Sequence, residues 1–181
     1  KKDKPFFLYM SHYAVHSPFQ TDLRFEENYK DSTRSRPAKS FATLIEGIDK
    51  SLGDLMDHVS DKGVAENTLI LFVGDNGSDA PLGDNYGYYS SAPLRGKKGT
   101  CYEGGLRVPF IASWAQRGDQ NKFPIARNHL HTKQIGTVMD IYSTILDASG
   151  AKNPQEHVID GVSLRKQLSG KVNQNRLDHF M

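Results

Sequence analysis

The sequence has a single cysteine, Cys101, so it cannot form a disulfide within the chain and lacks the ligands of a cysteine-rich zinc site. No hydrophobic run approaches the roughly 18 residues that identify a membrane span, and the first residues do not resemble a signal peptide. Neither sign of charge is in large excess, because 23 basic and 21 acidic residues leave a net charge of +2. Electrostatics therefore gives no reason to expect a nucleic-acid surface or binding to an anionic membrane, and any anion site must be local.

The hydrophobic pattern over the 181 residues predicts one globular piece of α/β type. Helical spacing of apolar residues predicts a helix over residues 40–59, capped by Gly63, and another over residues 137–149, ended by Gly150. Short apolar runs predict strands over residues 5–10, 68–73 and 108–114. Because strands alternate with helices, we expect a mostly parallel sheet flanked by helices.

The segment Gly74-Asp75-Asn76-Gly77 directly follows the second predicted strand, at the position where open α/β sheets bind ligands. Taken alone, Asp, Asn and Gly are ordinary turn residues. Asp75 and Asn76 are nevertheless adjacent oxygen donors, which suit a hard cation such as Ca²⁺ or Mg²⁺. Further along, Lys98 offers a point cation for an anionic substrate.

Three motifs occur in a fixed order: the Asp-Asn-Gly turn, the segment Lys-Gly-Thr-Cys-Tyr-Glu-Gly-Gly over residues 98–105, and Arg107-Val108-Pro109. Upstream, a predicted strand leads to His16-Ser17-Pro18. This arrangement resembles the sulfatases of the alkaline-phosphatase-like superfamily over residues 5–164. The resemblance implies an alkaline-phosphatase-like fold, present here as a partial domain. It assigns residues 1–170 to the C-terminal part of a catalytic domain and residues 171–181 to the start of a truncated C-terminal subdomain.

The resemblance also implies roles for individual residues. It makes Asp75 and Asn76 ligands of Ca²⁺, with Mg²⁺ as the other candidate metal. It assigns Lys98 to the sulfate and His16 to the active site, both as catalytic and substrate-binding residues, with His12 as a further substrate-binding residue or a partner of His16.

Other residues near these motifs are expected to serve structure. Lys97 is expected to remain a surface residue, and Glu103 and Arg107 are expected to hold the glycine loop. Three aromatic residues, Tyr86, Tyr88 and Tyr89, could stack on a sugar ring or simply pack the loop.

The nucleophile of such an enzyme is a formylglycine made from a Cys/Ser-x-Pro/Ala-x-Arg motif, which the resemblance places before the segment seen here. Cys101 does not fit that motif, since Tyr102-Glu103-Gly104 follow it. We therefore expect an internal fragment that lacks the nucleophile motif and is inactive by itself. Its expected partners are a sulfated small molecule or carbohydrate and the rest of its own polypeptide, in the periplasm or outside the cell.

Two other functions remain open from the sequence. One is a phosphate monoesterase or phosphodiesterase of the same superfamily, although paired zinc ions favour further Asp and His ligands where this chain has Asn76. The other is a non-catalytic module that binds sulfated glycans without hydrolysing them.

Overall fold

The computed structural model describes residues 4–82 and 90–174. Its helices are α1 (Arg36–Asp61), α2 (Glu103–Leu106), α3 (Met139–Ser149) and α4 (Arg165–Leu168), and its strands are β1 (Leu69–Val73) and β2 (Phe110–Trp114). Single 3-10 turns lie at Glu26–Tyr29 and Ala65–Asn67. The combination of helices with a small sheet confirms the α/β class.

The strands β1 and β2 are hydrogen-bonded neighbours. The amide of Gly74 donates to the carbonyl of Pro109 at 3.0 Å, and the amide of Ala115 donates to the carbonyl of Thr68 at 2.9 Å. These bonds join the end of one strand to the start of the other, so the pair runs antiparallel. Within the described residues the sheet is this pair rather than a mostly parallel sheet. Parallel neighbours need a long crossover, and α2, the helix described between the two strands, has 4 residues.

The predicted strand over residues 5–10 does not form. The apolar side chains at positions 6–10 are between 47% and 81% exposed. A strand needs a neighbour that accepts and donates its backbone hydrogen bonds, and no described segment pairs with this one. For a related reason β1 is half-buried rather than fully buried, because a two-stranded sheet leaves much of its surface uncovered.

The helix α1 confirms the helical pattern but starts before the predicted boundary. Ser35 caps its first turn, where the side-chain oxygen accepts from the amide of Ala38 at 3.4 Å. Gly63 ends it with φ of +67°, and its amide donates to the carbonyl of Ser60 at 2.8 Å. The predicted glycine cap is therefore confirmed.

The chain divides into two compact units, each built from two stretches of sequence. Unit 1 comprises Lys1–Ala65 and Leu71–Ile111, and unit 2 comprises Glu66–Ile70 and Ala112–Met181. In unit 1, Phe19 meets Phe41 of α1 edge-on at 5.4 Å between ring centroids. The amide of Asp22 donates to Thr43 Oγ1 on the same helix at 3.0 Å, so the loop before α1 is fastened along one face of it.

Unit 2 is organised around α3, where Asp140 and Thr144 are fully buried. The carboxylate of Asp140 accepts from the amide of Thr137 at 2.7 Å and from the amide of Val162 at 2.9 Å. The fold tolerates a fully buried carboxylate at Asp140 because both of its oxygens accept hydrogen bonds. Gly150 ends the helix with φ of +70°, which confirms the second predicted cap.

Candidate active site

The turn after β1 carries Asp75, which is exposed, and Asn76, which is half-buried. Two hydrogen bonds fix its backbone. One joins Gly74 to Pro109 at 3.0 Å, and the other runs from the amide of Gly77 to the carbonyl of Gly105 at 2.9 Å. A Cβ at position 77 would lie 1.9 Å from the carbonyl oxygen of Gly104, so only glycine permits this approach. The two candidate metal ligands therefore stand on a backbone turn held from both sides.

The segment that carries Lys98 forms a closed loop over residues 95–105. The amide of Gly104 donates to the carbonyl of Arg95 at 2.8 Å, which closes the base of the loop. Within it, the amide and the hydroxyl of Thr100 donate to the carbonyl of Lys97 at 3.0 Å and 2.8 Å. The sequence Gly-Gly at the loop's end is a packing requirement, since a Cβ at position 105 would lie 2.2 Å from the carbonyl oxygen of Thr100.

The structure brings the Asp75-Asn76 turn and the Lys98 loop together within unit 1. The amide of Lys98 donates to the carbonyl of Ser78 at 3.0 Å, and the Ser90 hydroxyl donates to the same carbonyl at 3.2 Å. Both candidate metal ligands and the candidate anion contact are thus carried on segments bonded side by side. Sequence spacing alone does not reveal this pairing, because the turn and the loop are separated by a long stretch of chain.

Lys97 differs from the surface residue expected from the sequence. Its ammonium lies 3.1 Å from Asp79 Oδ1, and the two side chains are 29% and 33% exposed. The expectation was wrong because the partner, Asp79, lies far from Lys97 in sequence and comes close only when the turn and the loop pack together. Lys98 is half-buried, and no described side chain forms a hydrogen bond or ion pair with its ammonium.

Glu103 and Arg107, which the sequence analysis assigned to structure, form an ion pair beside the loop. Arg107 Nη1 lies 3.6 Å from Glu103 Oε2, one turn away on α2. The Arg95 guanidinium lies 3.8 Å from the centre of the Tyr102 ring, and its Nη2 donates to the tyrosine hydroxyl at 2.8 Å. These residues brace the loop from outside. Tyr86, Tyr88 and Tyr89 lie outside the described residues.

The two candidate histidines lie on the exposed segment before α1. His16 Nδ1 is 2.7 Å from the carbonyl oxygen of Ser17, which can only accept, so Nδ1 carries the proton and Nε2 is the nitrogen left for other chemistry. His12 Nε2 shares a hydrogen bond with Ser51 Oγ of α1 at 3.0 Å. Within residues 4–82 and 90–174, no hydrogen bond or ring contact joins either histidine to the turn or the Lys98 loop.

The oxygen ligands that the turn offers suit a hard cation, but they are too few to fill its coordination sphere. Asp75 and Asn76 offer carboxylate and amide oxygens, whereas Ca²⁺ takes 6 to 8 oxygen ligands. No group of three His, Cys, Asp or Glu residues in the described ranges could hold a metal ion. The residues therefore fit part of a calcium or magnesium sphere and need further ligands from elsewhere.

Comparison with known proteins identifies the family of the chain. The profile of the family described as Sulfatase matches residues 1–151. The chain belongs to the sulfatase family. It is 33% identical to a sulfatase of Formosa agariphila over 93% of its own length and 30% of that protein, and 33% identical to the N-acetylgalactosamine-6-sulfatase of Canis lupus familiaris over 92% and 29%.

The fold is also that of solved sulfatase-like structures. The crystal structure of Ps i-CgsB in complex with k-i-k-neocarrahexaose superposes with a TM-score of 0.70 at 28% identity, over 90% of this chain and 33% of that one. This confirms the alkaline-phosphatase-like fold as a partial domain. The chain spans about 30% of the length of the curated relatives it matches. Within residues 4–82 and 90–174, no helix combines the length and the apolar character needed to cross a membrane.

The expectation that the chain lacks the sulfatase modification motif is wrong for the bare pattern, because Cys/Ser-x-Pro/Ala-x-Arg occurs twice with serine, at residues 91–95 and 113–117. Both serines already have structural partners: Ser91 Oγ donates to the carbonyl of Gly104 at 2.7 Å, and Ser113 Oγ to the carbonyl of Trp114 at 3.0 Å. Arg117, which ends the second match, donates to the carbonyl of Ile125 at 3.1 Å. These contacts give both matches a structural role. Cys101 is exposed and unpaired, and it remains outside the pattern.

Proposed function

We propose that this chain is part of a larger, metal-dependent sulfatase that hydrolyses sulfate monoesters of a sulfated carbohydrate. The observation that carries the proposal is the hydrogen bond of 3.0 Å between the Lys98 amide and the Ser78 carbonyl, which sets the cationic loop beside the Asp75-Asn76 turn. The oxygen atoms proposed to bind the metal and the lysine proposed to bind the anion then lie on neighbouring segments. Membership of the sulfatase family and the 33% identity to an N-acetylgalactosamine-6-sulfatase support a sugar sulfate as the substrate.

In this proposal Asp75 and Asn76 hold Ca²⁺, or Mg²⁺ in its place, and the remaining ligands come from other parts of the polypeptide. A divalent ion held by these residues would supply Lewis-acid polarisation of the sulfate group. The half-buried position of Asn76 supports the role, because a neutral amide tolerates partial burial better than a second carboxylate does. Asp75 supplies the one negative charge of the pair.

Lys98 is proposed to contact the sulfate and to stabilise negative charge on the transferring group. Its amide is held by the Ser78 carbonyl at 3.0 Å, so the loop fixes the point from which the Lys98 side chain extends. His16 is proposed to act in its doubly protonated form, giving its Nε2 proton to the oxygen of the departing alcohol while Nδ1–H stays bonded to the Ser17 carbonyl at 2.7 Å. His12 is proposed as a further substrate contact.

The nucleophile, a formylglycine, is proposed to lie in polypeptide before this segment, so that the 181 residues alone are inactive. The division into residues 1–170 and 171–181, and a location in the periplasm or outside the cell, belong to the same proposal. Mass spectrometry of the mature protein tests the nucleophile directly. We expect Ser91 and Ser113 to retain the mass of serine, and conversion of either to formylglycine would contradict the assignment.

The decisive experiment measures release of sulfate and of phosphate from aryl esters by the full-length protein, with Ca²⁺ added or chelated. We expect calcium-dependent sulfate release that falls about a hundredfold or more in Asp75→Asn and in Lys98→Met. Matched controls are Asp119→Asn and Lys152→Met, which make the same chemical changes at exposed positions of unit 2.

The other outcomes separate the alternatives. Phosphate release without sulfate release would assign the protein to the phosphatase branch. Binding of a sulfated sugar with no release of either anion would identify a binding module. Unchanged sulfate release in both Asp75→Asn and Lys98→Met would refute the site, even if the enzyme class is right.

A further inference from the structure

The ion pair between Lys97 and Asp79 is unlike most others in the described part of the chain. Most ion pairs there join residues two to four positions apart, as Lys50 and Asp54 do on α1. Lys97 and Asp79 instead come from two separate segments, and both side chains are about two-thirds buried. A pair shielded in this way is screened less by salt than a fully exposed one.

The segments that this pair joins are the ones that carry the candidate site. Asp79 lies at the end of the turn that begins with Asp75 and Asn76, and Lys97 directly precedes Lys98. The Lys97 backbone is itself held, because its amide is 3.2 Å from Thr100 Oγ1 and its carbonyl accepts from the Thr100 amide at 3.0 Å. A fixed backbone and a paired side chain at position 97 leave Lys98 little freedom to slide relative to the turn.

We propose that Lys97 and Asp79 form a positioning pair, which sets the distance between the metal-binding turn and Lys98 and keeps Lys97 from binding the substrate anion. This inference rests on the proposed sulfatase function. It assigns different tasks to two adjacent lysines. Lys98 contacts the anion, whereas Lys97 has its charge matched by Asp79.

The two partners then differ in what their loss does. Removing the Lys97 charge loosens the loop and leaves Asp79 as an unpaired anion near the sulfate, so anion binding weakens. Removing the Asp79 charge loosens the loop equally but takes a negative charge away from the neighbourhood of the anion, so product sulfate binds more tightly while turnover falls. At about 7 Å in water one unit charge changes an affinity by roughly threefold, which sets the size of this effect.

The experiment compares Lys97→Gln, Asp79→Asn and the exchanged pair Lys97→Asp with Asp79→Lys in the full-length protein. Three quantities are measured: kcat and KM for an aryl sulfate, the inhibition constant of inorganic sulfate, and hydrogen exchange of the backbone amides over residues 95–105. Lys50→Gln and Asp54→Asn remove an ion pair that lies within a single helix and serve as the matched control.

We expect kcat to fall about five- to tenfold in both single variants, with faster exchange of the Lys98 amide. The inhibition constant of sulfate should rise about threefold in Lys97→Gln and fall about threefold in Asp79→Asn. The exchanged pair should recover most of kcat and the slow exchange. A pair that only added stability would shift both inhibition constants in the same direction or not at all.

Two further results would overturn the inference. One is wild-type exchange over residues 95–105 in both single variants, and the other is an exchanged pair that recovers nothing although it folds. If the wild-type protein releases no sulfate, the proposed function fails instead. Hydrogen exchange then still decides whether the pair positions the loop, because that readout needs no substrate.

Discussion

Two regions of unit 1 carry the candidate site residues, and they differ in how they are held. The turn over residues 74–79 and the loop over residues 95–105 are joined by backbone hydrogen bonds, an ion pair and contacts that only glycine permits. The segment over residues 4–18 carries His12 and His16 and leaves its apolar side chains largely exposed. Local contacts therefore shape the half of the candidate site proposed for the metal and the anion, whereas the histidine half is held by fewer described contacts.

This difference separates two kinds of functional residue. Hydrogen bonds and an ion pair within the chain hold the residues of the turn and the loop in place. We therefore expect their positions to persist when the chain is studied alone. On the exposed segment the described contacts are fewer: His12 shares a hydrogen bond with Ser51 of α1 at 3.0 Å, and His16 bonds the carbonyl of its neighbour Ser17 at 2.7 Å. Large exposed apolar surfaces usually mark an interface.

The largest effect is expected for His16→Ala in the full-length protein. If His16 protonates the departing alcohol, kcat should fall about a hundred- to ten-thousandfold for an ester of a poor leaving group. The loss should shrink for an aryl ester whose leaving group needs no proton. Hydrogen exchange over residues 95–105 should not change, since no described contact joins His16 to that loop.

His58→Ala is the matched control for this change, because His58 lies exposed in the last turn of α1. Equal losses for good and poor leaving groups in His16→Ala would argue against a proton donor. They would leave His16 as a residue that only binds substrate.

The second-largest effect is expected for Gly77→Ala, which tests the contact between the turn and the loop. The added methyl group would meet the Gly104 carbonyl oxygen at 1.9 Å, so the turn and the loop must separate. We expect a loss of about 3 kcal/mol in the free energy of unfolding and about a hundredfold in kcat/KM. Chemical denaturation and steady-state kinetics measure the two losses.

Gly53→Ala makes the same substitution inside α1, where no atom lies within 4 Å of the new methyl group. It should raise the free energy of unfolding by about 0.5–1 kcal/mol, because alanine restricts the unfolded chain and favours the helix. If Gly77→Ala were as benign as Gly53→Ala, the close approach of turn and loop would not exist in solution.

The third effect concerns the exposed segment and uses Phe7→Ala in two contexts. In the isolated 181-residue chain Phe7 is 71% exposed, so the substitution should change the free energy of unfolding by less than about 0.5 kcal/mol. In the full-length protein we expect a loss of about 3 kcal/mol, because we propose that further polypeptide packs on the segment there. Phe123→Ala, at a fully buried position of unit 2, should cost about 3–5 kcal/mol in both. A neutral Phe7→Ala in both contexts would mean that nothing packs on this segment.

The sequence predicted those features that depend on neighbours along the chain. The helix α1 and its end at Gly63, and the helix α3 and its end at Gly150, follow from spacing and from glycine's access to positive φ. The order of motifs also predicted the family, because fixed spacing in three separate segments is specific. Strand β1 and the turn after it followed from an apolar run that stops at Gly74.

Features that depend on distant residues were not predictable in this way. The strand expected over residues 5–10 lacks a partner, and hydrophobicity alone cannot say whether a partner is present. Lys97 was assigned to the surface because Asp79 is remote in sequence. The exclusion of a side chain at Gly77 likewise depends on the carbonyl of Gly104, which no periodicity reveals.

The smallest effect is a pH dependence in the loop that fastens to α1. Hydrogen bonds from the Arg24 guanidinium, with Nε 2.9 Å from Oδ1, hold the pKa of the Asp22 carboxyl below its usual value. A carboxyl whose pKa is lower in the folded state adds stability above its unfolded pKa of about 3.9, and this stability is lost as the pH falls through the folded value. Asp22→Asn should therefore cost less than about 1 kcal/mol at pH 6, and the difference from wild type should shrink below about pH 4.

Arg24→Met breaks the pair from the other side and should give the same pH-dependent difference in thermal unfolding. A difference that stays constant from pH 3 to pH 6 in both variants would show that the pair adds nothing through its charge.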